Sequence, residues 1–346
     1  ADNAGNWNPE AVHRGPYYID TSAPTNPTWC SESHGAQSGV WQNHTADPYF
    51  TWGGAWDAPS GIAGYYVYWG TDPEGTSGEF VSWEGYDPWP VPSPSTYYLR
   101  VSARDNAGNT APWATLFIFR YDASPPSNPD AWSTSHTPYT WSNDNTVDMA
   151  WSGAWDGEGS GIAGYSIEWS TSWDTLPDTT VDVTGESATS PPLADGNSWY
   201  FHLRTADNAG NWNPEAVHRG PYYIDTTAPD SSVEPLPAHS PTSFVVRWSG
   251  SDPVPGSGLA SYDVQYRVGP SGVWTDWFSA STLTSATFGP ESPVHTQPGQ
   301  TYYFRCRARD RAGNLETYAG GDGDAWTTVQ VQAVYRLYLP LVLRRH

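Results

Sequence analysis

The sequence predicts an all-β chain of tandem Greek-key sandwiches, and three observations carry that prediction. A five-residue phrase recurs at the spacing of one small domain. It reads DNAGN at residues 2–6, 105–109 and 207–211, and DRAGN at 310–314. Its starts lie 103, 102 and 103 residues apart, a period that suits one β domain rather than a short solenoid repeat. The composition agrees: 33 Gly and 32 Pro mark many turns, while 21 Trp and 22 Tyr supply core material that disordered chains lack. Period-2 alternation of apolar residues also returns in every unit.

The period divides the 346 residues into a partial unit at 1–24, full units at 25–123, 124–228 and 229–332, and an apolar tail at 333–346. The partial unit holds a turn and the strand GPYYID, and its first 20 residues recur unchanged at 206–225. The chain therefore opens on the end of a sandwich whose earlier strands it lacks. A strand without a sheet leaves its backbone groups unpaired. Tyr17, Tyr18 and Ile19 become candidates for docking into a neighbouring copy.

Each full unit repeats three signals. An early strand ends in Trp before a Gly-rich turn, at Trp52, Trp151 and Trp248. The stretches SGIAGYYVYW, SGIAGYSIEW and SGLASYDVQY follow, with Tyr65, Val67 and Trp69, then Tyr165, Ile167 and Trp169, then Tyr262, Val264 and Tyr266 on one face. The last signal is TYYLRVSARDNAGN and its counterparts. Leu99, Val101 and Ala103 point inward there, as do Phe201, Leu203, Thr205 and Phe304, Cys306, Ala308; Arg100, His202 and Arg307 belong to the outward set. DNAGN itself reads as a hairpin turn, in which Asp and Asn bond their own backbone and Gly supplies positive φ. The joints TSAPTNP, ASPPSNP and TTAPDSS are short, Pro-rich and stiff.

These three signals resemble those of fibronectin type III and bacterial Ig-like domains, and the resemblance covers residues 25–332. It implies a two-sheet antiparallel sandwich of about seven strands. Domain one departs from the pattern, reading PSPST ahead of Tyr97 and being Trp- and Pro-rich over 77–94. The tail, with Leu337, Tyr338, Leu339, Leu341, Val342 and Leu343, is similar to LYLPLVLR-type tails of secreted surface proteins of filamentous bacteria. The resemblances imply an extracellular, cell-surface setting, and the tail becomes a second assembly candidate.

Charge and chemistry narrow the function. The net charge of −22 repels phosphate backbones, so nucleic acid is not an expected partner. All 15 cations are Arg, and the absence of Lys excludes Schiff-base, Ser-Lys and Lys–Asn isopeptide chemistry. Cys30 and Cys306 lie in different domains, so the cores must carry stability without a disulfide framework. No apolar run reaches the ~18 residues of a membrane span. Hydrolase elbows, zinc motifs, Walker loops and dinucleotide fingerprints are absent, and we expect no enzyme, catalytic residue or bound cofactor. Calcium is the one rival reading of DNAGN, of DGEGSG (156–161) and of GGDGDAW (320–326).

Asn43 heads the sequon Asn43-His44-Thr45 and is a glycosylation candidate. Trp29, Trp41, Trp83, Trp89, Trp132, Trp141, Trp274 and Trp277 fall outside the repeated strands, where they plug sandwich ends or stack on surface glycans. The expected function is that of a non-enzymatic surface filament subunit, polymerising with copies of itself by strand addition at its termini. A glycan-binding or spacer region of a larger secreted adhesin or hydrolase is the alternative.

Overall fold

The computed structural model describes residues 1–289 and 294–331. Among them every regular element is a strand. The strands form three pairs of sheets, each pair closing on one apolar core.

In the first sandwich, β1 (Trp29–Glu32), β3 (Phe50–Gly53) and β6 (Gly85–Tyr86) make one sheet in the order β1-β3-β6. The facing sheet orders β2 (Trp41–Gln42), β8 (Ala114–Tyr121), β7 (Ser95–Asp105), β4 (Ile62–Gly70) and β5 (Phe80–Val81) as β2-β8-β7-β4-β5. The chain crosses between sheets rather than running along one, as in Ig-like and fibronectin-like sandwiches.

The second sandwich repeats the plan. β9 (Asp130–Ser133), β11 (Asp148–Ser152) and β13 (Ser187–Thr189) face β10 (Trp141–Ser142), β12 (Ile162–Ser170), β14 (Gly196–Asp207) and β15 (Val217–Ile224). The third sets β16 (Asp230–Val233), β18 (Phe244–Ser251) and β21 (Ser285–Phe288) against β17 (His239–Ser240), β19 (Leu259–Val268), β20 (Thr275–Ser281), β22 (Thr301–Asp310) and β23 (Ala325–Val329). In each, the second short strand pairs parallel to the last long one, turning the chain from one sheet to the other.

Alternation dictates which side chains meet. Tyr65 and Val67 of β4 face Val101 and Ala103 of β7, and all four are buried. Trp52, Trp151 and Trp248 stand across the sandwich and are among the largest fully buried side chains. The first two meet the edges of Tyr65 and Tyr165 at ring distances of 5.5 and 5.4 Å; Trp248 instead packs on Trp277 and Phe278. Burying one such ring removes roughly 150–250 Å² from water, about 4–6 kcal/mol gross. Cys306 takes an inward position of β22 and burial pushes its thiol up to about 12, so it acts as an apolar side chain.

Two sequence expectations change. Part of the outward face of β7 and β14 is covered rather than solvated, whereas Arg309 of β22 stays exposed. His202 is fully buried, its Nδ1 2.7 Å from His218 Nδ1, while Arg100 lies under the 74–75 loop with Nη1 donating to the Gly75 carbonyl. Long loops fold back over that face, and alternation alone cannot report them. The segment GPYYID near the N-terminus also forms no strand: residues 7–19 pair with nothing among the described residues, whose three sandwiches already hold their own last strands in β8, β15 and β23. The tail candidates Leu337, Tyr338, Leu339, Leu341, Val342 and Leu343 lie outside the described residues.

Candidate functional site

The recurring turn is built the same way in all four copies. Asp105 Oδ1 accepts from Asn109 N at 2.8 Å and Oδ2 accepts from Asn109 Nδ2 at 2.7 Å. Asp207 with Asn211 and Asp310 with Asn314 repeat both bonds at 2.8 and 2.7 Å, and Asp2 with Asn6 repeats them at 2.9 Å. Gly108, Gly210 and Gly313 close the turns at φ of 100, 94 and 103°, where a side chain would be strained.

The turn's Asn then does a second job. Its Nδ2 also donates to the backbone carbonyl of an Asp ending the previous unit: Asn109 to Asp20 at 3.1 Å, Asn211 to Asp122 at 2.9 Å, Asn314 to Asp225 at 2.7 Å. The carboxylates of those joint aspartates reach forward in return. Asp122 Oδ2 accepts from Ser160 N and Asp225 Oδ2 from Ser257 N, both at 2.7 Å. A third Asp caps the loop that carries those serines: Asp57, Asp156 and Asp252 accept from Gly61, Gly161 and Gly258 N at 2.8, 2.7 and 2.5 Å.

Three acidic triads result, one per joint: Asp20–Asp57–Asp105, Asp122–Asp156–Asp207 and Asp225–Asp252–Asp310. Within each, one carboxylate oxygen per residue lies within 4.8 Å of the others. Asp105, Asp122, Asp207, Asp225 and Asp310 are buried. None of the ion pairs among the described residues involves a triad member. Like charges this close, partly shielded from water, repel by roughly a few kcal/mol a pair. Burial first, then the neighbouring aspartates, pushes the Asp156 and Asp252 carboxyls up. The polar groups of nearby Ser60, then the Ser22 amide that donates to Oδ1 at 3.0 Å, hold the Asp20 carboxyl down. At Asp105 burial works upward, yet bonds from Asn109, Gly108 and Ala107 bring the carboxyl below its ordinary range. All-oxygen carboxylate sets suit hard cations such as Mg²⁺, Ca²⁺ and Mn²⁺, so these are the residues able to hold a metal.

The assembly and modification candidates fall elsewhere. Tyr17, Tyr18 and Ile19 are exposed and line one wall of an open cleft opposite Pro59, Ser60, Asn106 and Ala107. Asn43 sits in the joint between the first two sandwiches, half-buried, with Nδ2 donating to Asn211 Oδ1 at 3.0 Å. GGDGDAW is spent on structure: Asp322 pairs with Arg267 at 2.6 Å, and Asp324 Oδ2 accepts from Val233 N and Cys306 N. Trp29, Trp83, Trp89 and Trp132 are exposed, and Trp277 packs against the third core.

Sequence reading singled out the turn aspartates and the segment holding Asp156, but not their convergence with Asp20, Asp57, Asp122, Asp225 and Asp252. The missed signal is a joint aspartate (Asp20, Asp122, Asp225), followed within three residues by Ala, that recurs at the 102- to 103-residue period and stands 85 positions ahead of the next turn's Asp.

No protein-family model matches the sequence, and no curated protein matches it. Among solved structures, the chicken CNTN1 FN1–FN3 domains are similar to it at 15% identity and a TM-score of 0.24, over 84% of this chain and 95% of that one. A superposition that loose carries no argument, and the fold assignment rests on the strand order and cores above.

Proposed function

We propose that this chain is a non-enzymatic structural or adhesion-type array of the cell exterior, in which successive sandwiches are held end to end as a stiff rod. The repeated joint supports this reading. At each one an Asn side chain of one unit bonds the last aspartate of the unit before it, and at the second and third that aspartate bonds a backbone amide of the unit ahead. Two opposed hydrogen bonds across a Pro-rich linker resist both twist and bend, whereas a floppy spacer needs neither. Electron microscopy of the intact chain checks this. In-line beads with a narrow spread of angles are the expected result, and a broad spread defeats the stiff-rod reading.

Polymerisation by strand addition is a second reading, favoured by one observation. Residues 12–19 have the sequence of β15, yet their apolar side chains are exposed. A sheet lacking its last strand would accept them. Deleting residues 1–21 should then abolish polymers of the native material while leaving the sandwiches folded. Polymers that survive the deletion rule strand donation out.

A further inference from the structure

The triads have a property that clustering alone does not explain. Among the described residues, the buried carboxylate oxygens without a hydrogen-bond partner are three: Asp20 Oδ2, Asp156 Oδ1 and Asp252 Oδ1. One falls in each triad. Each is closed to solvent, and buried polar atoms are ordinarily satisfied. One such oxygen falls at each of three successive joints, on the joint aspartate at the first and on the loop aspartate at the second and third, and at no other carboxylate among the described residues. It marks an acceptor waiting for a partner that is not a protein donor.

The surroundings favour a cation as that partner. Three oxygens within 4.8 Å of one another span the triangle that oxygens ~2.3–2.6 Å from a single Ca²⁺ would span. No Arg pairs with any triad carboxylate among the described residues, and the chain has no Lys. The loop stays open where it passes the middle triad: a Cβ on Gly159 would lie 2.5 Å from Asp122 Oδ2 and 2.7 Å from Asp156 Oδ2. The third triad has a counterpart in Gly256, whose Cβ would lie 2.6 Å from Asp252 Oδ2. Oxygen-only donors on loops suit Ca²⁺ better than Mg²⁺, which demands a tighter octahedron and keeps its waters.

We propose that the three triads are divalent-cation sites, selective for calcium, and that each ion locks two consecutive units by taking one carboxylate from the unit behind and two from the unit ahead. The inference deepens the rod reading, since it names what would stiffen the joint. Loss of the calcium sites would leave the rod reading standing, and the two ideas fail in separate experiments.

The test is a calcium titration of the intact, chelator-stripped chain by calorimetry, paired with thermal unfolding in calcium and in EGTA. Extracellular calcium modules bind at ~0.1–1 mM, so titration to ~10 mM covers the range. The expected result is a stoichiometry approaching three, one ion per triad, with unfolding shifted upward by several °C. Magnesium at the same concentration should give a smaller shift.

The double variant Asp156→Asn, Asp252→Asn should bind one ion instead of three. In EGTA it should unfold no lower than the parent, because the change relieves repulsion while each amide oxygen still accepts from Gly161 or Gly258. In calcium it should unfold lower. Absence of both heat and shift with the parent chain overturns the proposal, without recourse to a variant. Undiminished stoichiometry in a variant with parental near-ultraviolet dichroism overturns it equally.

Discussion

Residues 1–20 and 206–225 are the same twenty amino acids in two different states. In the second copy Tyr222 and Ile224 are 1% and 0% exposed, paired in β15 against β14 on one side and β10 on the other. In the first, the corresponding Tyr17 and Ile19 are 76% and 82% exposed and belong to no strand. The Asp-Asn turn forms in both, because its bonds close within five residues. Turns of this kind are a local property of the sequence. Strands are not: their hydrogen bonds and buried faces come from residues far away in the chain.

The largest separation between the copies should come from truncating one apolar side chain. Ile224→Ala leaves a cavity in the second core and is expected to cost about 2–5 kcal/mol in denaturant unfolding of that sandwich. Ile19→Ala, the identical change in the identical sequence, should stay within about 0.5 kcal/mol. Tryptophan-detected urea titrations of the two variants measure the difference. A comparable loss at Ile19 would mean that the first copy is held in a sheet, and would point to strand exchange between chains.

The next contrast is in pH. His218 meets His202 at 2.7 Å between Nδ1 atoms, so one ring must be neutral to accept; its counterpart His13 is exposed. Burial, with His218 adding, pushes His202 down to about 4. Its folded value therefore lies below the ~6.5 of an unfolded His. The stability this group confers is complete above ~6.5 and is lost as pH falls toward 4, because only the unfolded chain takes up the proton there. About 3 kcal/mol of the second sandwich's stability should go over that window. His202→Phe should flatten the profile, and His13→Phe should leave it unchanged. A pH profile that ignores His202→Phe would place the loss on other groups.

What could be read from the sequence follows the same division between local and distant. The inward residues of β7, β14 and β22 were legible because alternation is local, and DNAGN was legible because a turn is. Even Cys306 could be placed, since it occupies the slot of Val101 and Leu203. The triads were only half legible. Asp105, Asp207 and Asp310 sit in a visible motif, but Asp57, Asp156 and Asp252 come from loops about 50 residues earlier, and Asp20, Asp122 and Asp225 from the neighbouring unit. Their meeting depends on how one sandwich is set upon the next. The burial of Arg100 and His202 was hidden for a related reason: loops of irregular sequence cover a face that alternation marks as polar.

The smallest effect tests how far this division reaches into single contacts. Trp212 follows its turn directly, bridges back to Ala206, and lies under the Arg204 guanidinium, 5.2 Å from the ring centroid. Trp7 follows the same turn in the same sequence, but β14 and its arginine are missing and the ring is 80% exposed. A cation over an indole face at a partly exposed site contributes about 0.5–1 kcal/mol. Trp212→Leu, which keeps apolar bulk while removing the ring, should therefore lower the stability of the second sandwich by about that amount, and Trp7→Leu should leave it unchanged. Pairing each with Arg204→Met in a double-mutant cycle isolates the contact. Coupling confined to Trp212 would show that even this side chain acquires its energy from a strand it does not belong to. Zero coupling would mean that the ring is held by packing, and that Arg204 only passes over it.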